Sequence, residues 1–195
     1  IKRQTGKKLP TFVVPDSKEG WAEAFTLGME TWAGGLDIDF DFSQVRPKGA
    51  RLKTMGGRAS GPEPLEGLLK FVKDKILSRQ GNKLRSIDVH DIICKIGDIV
   101  VMGGVRRSSE ISLSDLDDPD MRGAKTGEFY KTEPQRTMAN NSVAYKEKPT
   151  IQEFMKEWSA LMESGSGERG IFNRSGMAKQ MPKRRWKLNG EHIHN

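Results

Sequence analysis

Cysteine is almost absent from this chain, with one residue, Cys94, among 195. A single thiol excludes an internal disulfide and any zinc site built from cysteines. Cys94 stands in the apolar run Ile92-Ile93-Cys94-Lys95-Ile96, where a buried small hydrophobe is expected rather than a reactive thiol. Histidine is nearly as scarce: His90 lies on an expected helix, and His192 and His194 lie near the end. The His-x-His pair has no third ligand close in sequence, so no metal site is assigned to it. Long apolar runs are missing too. No stretch is long enough to cross a bilayer and no signal peptide is evident, so a cytoplasmic chain with no membrane partner is expected. A Walker pattern is also absent, which disfavours ordinary nucleotide hydrolysis.

Apolar residues make up 35% of the chain and charged residues 30%, with a mean hydropathy of -0.64. The length suffices for one good core, but this composition is poor for a self-sufficient enzyme domain. Either the core is small or more chain completes the surface. A start at Ile1 and a polar stretch before Asn195 favour a segment of something longer. Positive charge dominates, with a net +7 and an isoelectric point near 9.5, which favours a polyanionic partner. Nucleotide phosphate is the first choice. Nucleic acid is second, because only Lys183-Arg184-Arg185 clusters and no aromatic-interleaved basic stripe occurs.

Along the chain, the basic residues 1–10 read as a linker and Thr11 to Val14 as a short strand. Asp16-Ser17-Lys18-Glu19 reads as a capping box with Asp16 as the cap and Glu19 reaching back. The helix it opens carries Trp21, Phe25, Gly28, Met29 and Trp32 on one face and ends at Gly34-Gly35. Ile38, Phe40 and Phe42 alternate with aspartates, as in a half-buried strand. Residues 46–64 form a long glycine- and proline-rich loop whose Lys48, Arg51, Lys53 and Arg58 suit phosphate cradling. A helix with Leu65, Leu68, Leu69, Val72 and Ile76 follows, and its N-terminus adds partial positive charge. A second helix, opened by Ser86 or Asp88, carries Ile92, Ile93, Ile96, Ile99 and Val100 over more than one face, so deep packing is expected.

That helix leads into Met102-Gly103-Gly104-Val105-Arg106-Arg107-Ser108-Ser109-Glu110-Ile111, the stretch around which the chain is organised. Two glycines allow a sharp turn or close approach to a ligand, and two planar guanidinium forks suit phosphate or a base edge. Taken alone, the same residues also make a solvated turn. The acidic run 115–120 lacks the glycine and terminal glutamate of a calcium loop, so capping is expected there. Residues 123–137 read as irregular and exposed. Asn140-Asn141-Ser142-Val143-Ala144-Tyr145 reads as a strand whose first polar side chains either hold a ligand or cap it. Thr150-Ile151-Gln152-Glu153 is a second capping box, opening a helix with Phe154, Met155, Trp158, Leu161 and Met162 on a core-facing stripe. Strands separated by amphipathic helices make the class α/β.

In this order the chain resembles the α subunit of adenosylcobalamin-dependent (class II) ribonucleotide reductases, of the thioredoxin-using ribonucleoside-triphosphate type. The resemblance rests on Asp-Ser-Lys-Glu-Gly-Trp-Ala at 16–22, Asp-Phe-Ser-Gln-Val-Arg-Pro-Lys-Gly-Ala at 41–50 and Gly-Gly-Arg-Ala-Ser-Gly-Pro-Glu-Pro-Leu at 56–65. It continues with Gly-Gly-Val-Arg-Arg-Ser-Ser-Glu-Ile at 103–111, Asn-Asn-Ser-Val-Ala at 140–144 and Gly-Glu-Arg-Gly-Ile-Phe-Asn at 167–173. It implies part of a ten-stranded α/β barrel, incomplete in this chain. Residues 1–15 would be a linker or the end of an effector-binding insertion, and 16–195 the partial barrel, with specificity loops at 46–64 and 102–111.

By the same resemblance, Gly103, Gly104, Val105, Arg106, Arg107 and Ser108 form the substrate specificity loop. Lys53, Thr54, Gly56, Gly57, Ser60 and Gly61 form the loop on the effector side, and Asn140, Asn141 and Ser142 a barrel strand near the substrate. A glycine-hinged loop can hold two arrangements, and an effector that binds one better shifts the population. The family reduces ribonucleotides through a thiyl radical on the cysteine of an Asn-Pro-Cys-Gly-Glu motif, whose glutamate serves as base. This chain lacks that motif, so no catalytic residue and no metal ligand is assigned in it, and the isolated chain is expected to be inactive. Implied for the complete enzyme are adenosylcobalamin, a ribonucleotide substrate, a deoxynucleotide effector, thioredoxin as reductant and the remaining segments of the reductase. A split or intein-interrupted gene of a bacterium or phage would account for the missing motif. The alternative is a basic nucleotide- or nucleic-acid-binding module without catalysis, and the blandest is a non-functional relic.

Overall fold

A computed structural model describes residues 1–52, 57–102, 108–180, 182, 187–188 and 191–192. The chain divides into two compact units: residues 1–110 with 135–138, and residues 111–134 with 139–195.

The first unit is built on three helices, α1 (Lys18–Ala33), α2 (Glu63–Leu77) and α3 (Ser86–Met102). Its core holds Val14, Ala24, Trp32, Ile38, Leu65, Leu68, Leu69, Val72, Ile76 and Ile92, so the apolar stripe expected on α2 is buried throughout. Ser17, not Asp16, caps α1, its Oγ accepting from the Gly20 N–H at 3.0 Å. Glu19 shows no return bond, and the Asp16 carboxylate instead accepts from Arg46 Nε at 2.7 Å. At the start of α3, Asp88 takes the third helical position and its carboxylate accepts from the Arg85 N–H at 2.9 Å. It also takes two bonds from Arg79, at 2.6 and 3.0 Å. These bonds outweigh the effect of burial and hold the Asp88 carboxyl below its ordinary range.

The basic N-terminal stretch, read from sequence as a linker, is laid against the unit along its length. Backbone N–H groups of Lys2, Thr5, Leu9, Phe12 and Val14 donate to the carbonyls of Ala33, Gly35, Asp37, Asp39 and Asp41 at 2.8–2.9 Å. Within this ladder β1 (Phe12–Val13) and β2 (Phe40–Asp41) pair in parallel, Phe12 opposite Phe40. Composition misled here because backbone bonding does not depend on side-chain charge. Gly35 makes the close approach possible: its φ is +88°, and a Cβ there would sit 2.5 Å from the Arg3 carbonyl. Gly35→Ala is therefore expected to destabilise the unit by about 1–3 kcal/mol, read as a lower urea midpoint with an unchanged slope.

Asp37 ties this ladder to the helices. Its Oδ1 accepts from Trp32 Nε1 at 3.1 Å, the Ile38 N–H at 2.9 Å and Lys73 Nζ at 2.7 Å. Burial opposes its charge, but the Lys73, Ile38 and Trp32 bonds prevail and lower its pKa. Helix α3 departs from expectation on one side: Ile87, Ile92 and Cys94 are buried, whereas Val89, Ile93 and Val100 are exposed.

In the second unit β3 (Glu110–Ser114, of which Glu110 counts with the first unit), β4 (Ala139–Tyr145) and β5 (Gly170–Asn173) form one sheet in the order β3-β4-β5. β4 and β5 run parallel with Ser142 opposite Gly170 and Tyr145 opposite Asn173. Helix α6 (Ile151–Ser164) has the full capping box expected of Thr150 and Glu153 and stops at Gly165, in the left-handed conformation. The stripe on α6 is less buried than expected, with Met155, Trp158 and Met162 exposed.

Residues 123–137, expected to be irregular and exposed, contain α5 (Phe129–Thr132) and most of a 3-10 turn (Pro134–Met138), and bury Ala124, Lys125 and Gln135. Asp118 caps the preceding short α4 (Pro119–Arg122), accepting from the Met121 N–H at 3.0 Å, as the acidic run predicts. Short elements at the end of the chain are α7 (Arg174–Gln180), β6 (Lys187–Leu188) and β7 (Glu191–His192), the last two antiparallel. No described helix is long and apolar enough to cross a membrane.

Candidate functional site

A cleft of about 820 Å³ opens in the first unit between the start of α1 and residues 45–52 and 58–61. Arg51 and Arg58 pair as an antiparallel bridge within the long glycine- and proline-rich loop. Positive φ at Gly49, Gly57 and Gly61 bends it. At Gly61 (φ +84°) a Cβ would also collide with the Glu63 carboxylate.

Among the described residues the walls carry Lys18, Arg46, Arg51 and Arg58 against a single acid, Asp16, and that acid is already bound to Arg46. Arg58 Nη1 donates to the Gly49 carbonyl at 3.0 Å, while among the described residues no acid is paired with Arg51. Arg51 and Arg58 are like-charged cross-strand neighbours lining one cleft, an arrangement that an anion bound beside them would relieve. The N-terminus of the 16-residue α1 opens on the same cleft and adds the partial positive charge of its unpaired N–H groups. Trp21 supplies an aromatic face, and Ser60 and Gly61 line the opposite lip. The cleft thus offers charge for phosphates, an aromatic surface for a base and little else that is polar.

The residues chosen from sequence separate into three groups. Ser60 and Gly61 line the cleft, and Gly57 lies in the same loop. Ser108 lies elsewhere in the first unit, against Gly97 of α3, where a Cβ would stand 3.5 Å from its Oγ. Asn140, Asn141 and Ser142 lie in β4 of the second unit. They sit inside the strand, not at its cap: the Asn141 N–H donates to Glu168 at 2.8 Å and the Ser142 carbonyl accepts from Ser114 at 3.4 Å. Lys53, Thr54 and Gly56, and Gly103, Gly104, Val105, Arg106 and Arg107, lie outside the described residues.

Sequence reasoning missed Lys18, Trp21 and Arg46 as cleft residues. Trp21 was legible only as part of a core stripe, and the Asp16–Arg46 pair spans thirty residues, beyond any local pattern.

Residues 2–77 match the family model of the B12-dependent ribonucleotide reductase insertion domain. An adenosylcobalamin-dependent ribonucleoside-triphosphate reductase of Euglena gracilis is 34% identical over 137 residues, covering 68% of this chain and 18% of that protein. The enzyme of the same name from Lacticaseibacillus paracasei is 34% identical over 180 residues, covering 88% of this chain and 23% of that protein. A solved structure of a B12-dependent (class II) ribonucleotide reductase matches with a TM-score of 0.70 at 30% identity, over 85% of this chain and 23% of that one. Fold and motif order together define an α/β protein that carries a cationic cleft. The chain belongs to the B12-dependent (class II) ribonucleotide reductase family, and it spans about a fifth of the length of the relatives it matches.

Proposed function

We propose that this chain is a segment of an adenosylcobalamin-dependent ribonucleoside-triphosphate reductase, which makes 2'-deoxyribonucleotides by thiyl-radical chemistry with thioredoxin as reductant. The segment contributes nucleotide-sensing loops and strands β3, β4 and β5 of the barrel wall. It contributes no radical cysteine, since the sequence contains no Asn-Pro-Cys-Gly-Glu. Supplied by the rest of the enzyme, that motif would complete the active site.

The observation that carries this reading is the cleft, with its neighbouring Arg51 and Arg58, its helix N-terminus and its aromatic wall. These features suit the triphosphate and base of a deoxynucleotide effector. Residues 103–108 then relay occupancy to the substrate by favouring one loop arrangement over another.

Adenosylcobalamin supplies the radical in enzymes with the name these relatives carry. The cleft does not fit it: its Lys18, Arg46, Arg51 and Arg58 suit a phosphate-bearing ligand, and among the described residues it offers no histidine or other cobalt ligand for a corrin.

Titration calorimetry of the chain with deoxyribonucleoside triphosphates tests the effector assignment. Removing a charge-assisted bond costs about 1.5–3 kcal/mol, so Arg51→Ala or Arg58→Ala is expected to weaken binding by about tenfold to a hundredfold. Equal affinity in the variants and the unaltered chain would remove the site. Affinity for DNA of any sequence, falling steeply with salt and unmatched by free nucleotides, would favour a nucleic-acid-binding module instead.

A further inference from the structure

The only cysteine of the chain does not lie simply in apolar packing. His90 and Cys94 stand one turn apart on α3, and Glu110 opens β3, on the far side of residues 103–109. One imidazole nitrogen, the Cys94 Sγ and a Glu110 carboxylate oxygen lie within 4.8 Å of one another. Cys94 Sγ is 3.7 Å from His90 Nδ1 and 3.8 Å from Nε2. Ligand atoms of a tetrahedral zinc shell, built from bonds of about 2.0–2.3 Å, stand about 3.5 Å apart. The trio thus needs only a small contraction to close on an ion.

We propose that His90, Cys94 and Glu110 form a binding site for a borderline-soft divalent cation of the zinc type, with the fourth position left to water. The donor set selects the class of ion: one thiolate and one imidazole favour zinc or cobalt, whereas calcium and magnesium require a shell of oxygens. Surroundings support the assignment. Cys94 and His90 are 0% and 4% exposed, so a thiolate there is shielded from solvent, and Glu110 is only half-buried, leaving a way in. Asp91 Oδ1 faces His90 Nδ1 at 3.9 Å, the outer-shell carboxylate that commonly orients a ligating histidine. Asp91 is itself fixed by Lys75 and Arg136.

Binding replaces the thiol proton of Cys94 by the metal and releases that proton to solvent. A bound ion would link α3 to Glu110 within the first unit.

Cobalt(II) titrated into the reduced full chain tests it. Thiolate-to-cobalt charge transfer absorbs in the near ultraviolet, and with one cysteine in the chain that band reports Cys94 alone; the His192/His194 pair cannot produce it. The expected result is a band that saturates at one ion per chain and is displaced by zinc. Glu110→Gln should weaken binding at least about tenfold, the smallest loss usual even for an outer-shell group. Cys94→Ala should abolish the band while leaving the far-ultraviolet circular dichroism unchanged. No band with cobalt in excess, or a band indifferent to both Glu110→Gln and His90→Ala, overturns the proposal.

Discussion

Asp91→Ala is expected to lower the stability of the first unit by about 3–5 kcal/mol, the range for removing one partner of a buried ion pair. Few substitutions elsewhere in the chain should match it. The Asp91 carboxylate is fully buried and accepts from Arg136 Nε at 2.6 Å, Arg136 Nη2 at 2.9 Å, Gln135 Nε2 at 3.2 Å and Lys75 Nζ at 2.7 Å. Its removal strands two cations, and it unpins residues 135–138 from α3. Against a total stability of roughly 5–15 kcal/mol for a domain, such a loss approaches unfolding.

Acid should reach this site late. Burial raises the Asp91 pKa, but Arg136, His90 and Lys75 overcome it and drive the folded value far below that of an ordinary aspartate. Its contribution is therefore complete above about pH 4, the unfolded value, and fades only as pH falls further toward the folded value. Urea melts followed by tryptophan fluorescence at pH 7 and pH 3 measure both statements. A loss under about 1 kcal/mol at pH 7 would show that the stranded cations are rehydrated and that the pair contributes little.

Glu157→Ala is expected to do the same to the second unit, again by about 3–5 kcal/mol. Glu157 on α6 joins Arg122 Nε at 2.6 Å and Arg169 Nε at 3.0 Å. Arg169 has only 2% of its side chain exposed, and its remaining bonds go to Ser114 and to the carbonyls of Asp115 and Leu116. These contacts gather α4, α6 and the end of β3 around one carboxylate. Burial pushes the Glu157 pKa up, but Arg169 and Arg122 together bring it below its usual value. Hydrogen exchange separates local from global damage: amides of β4 and β5 should lose protection while those of α1 and α2 keep theirs. Uniform loss across both units would show that they unfold as one.

Much of this was written in local pattern. The stripe Leu65, Leu68, Leu69, Val72 and Ile76 and the box of Thr150 and Glu153 depend on neighbours within one or two turns, and both hold. Asp16 failed as a cap because two adjacent residues could fill that role, and Arg46, thirty positions away, binds it. Asp91 carries no local signal, since its partners Lys75, Gln135 and Arg136 come from other elements.

The exposed Val89, Ile93 and Val100 on α3 point to a further limit. Hydrophobic periodicity records burial in a whole protein, and this chain spans about a fifth of its relatives. Six family motifs in order carried the assignment of family. The cleft itself was half legible, through Arg51, Arg58, Ser60 and Gly61, whereas Lys18 and Trp21 join it only because the cleft opens at the start of α1.

The N-terminal ladder has one more consequence. The Gly81 N–H donates to the Ile1 carbonyl at 2.8 Å, and the Gln4 N–H donates to the Gln80 side chain at 2.8 Å. Residues 1 and 81 therefore bracket the region that matches the insertion-domain model, 2–77, and they are nearest neighbours. These two bonds close the matched stretch on itself, so loosening either end of it frees the other.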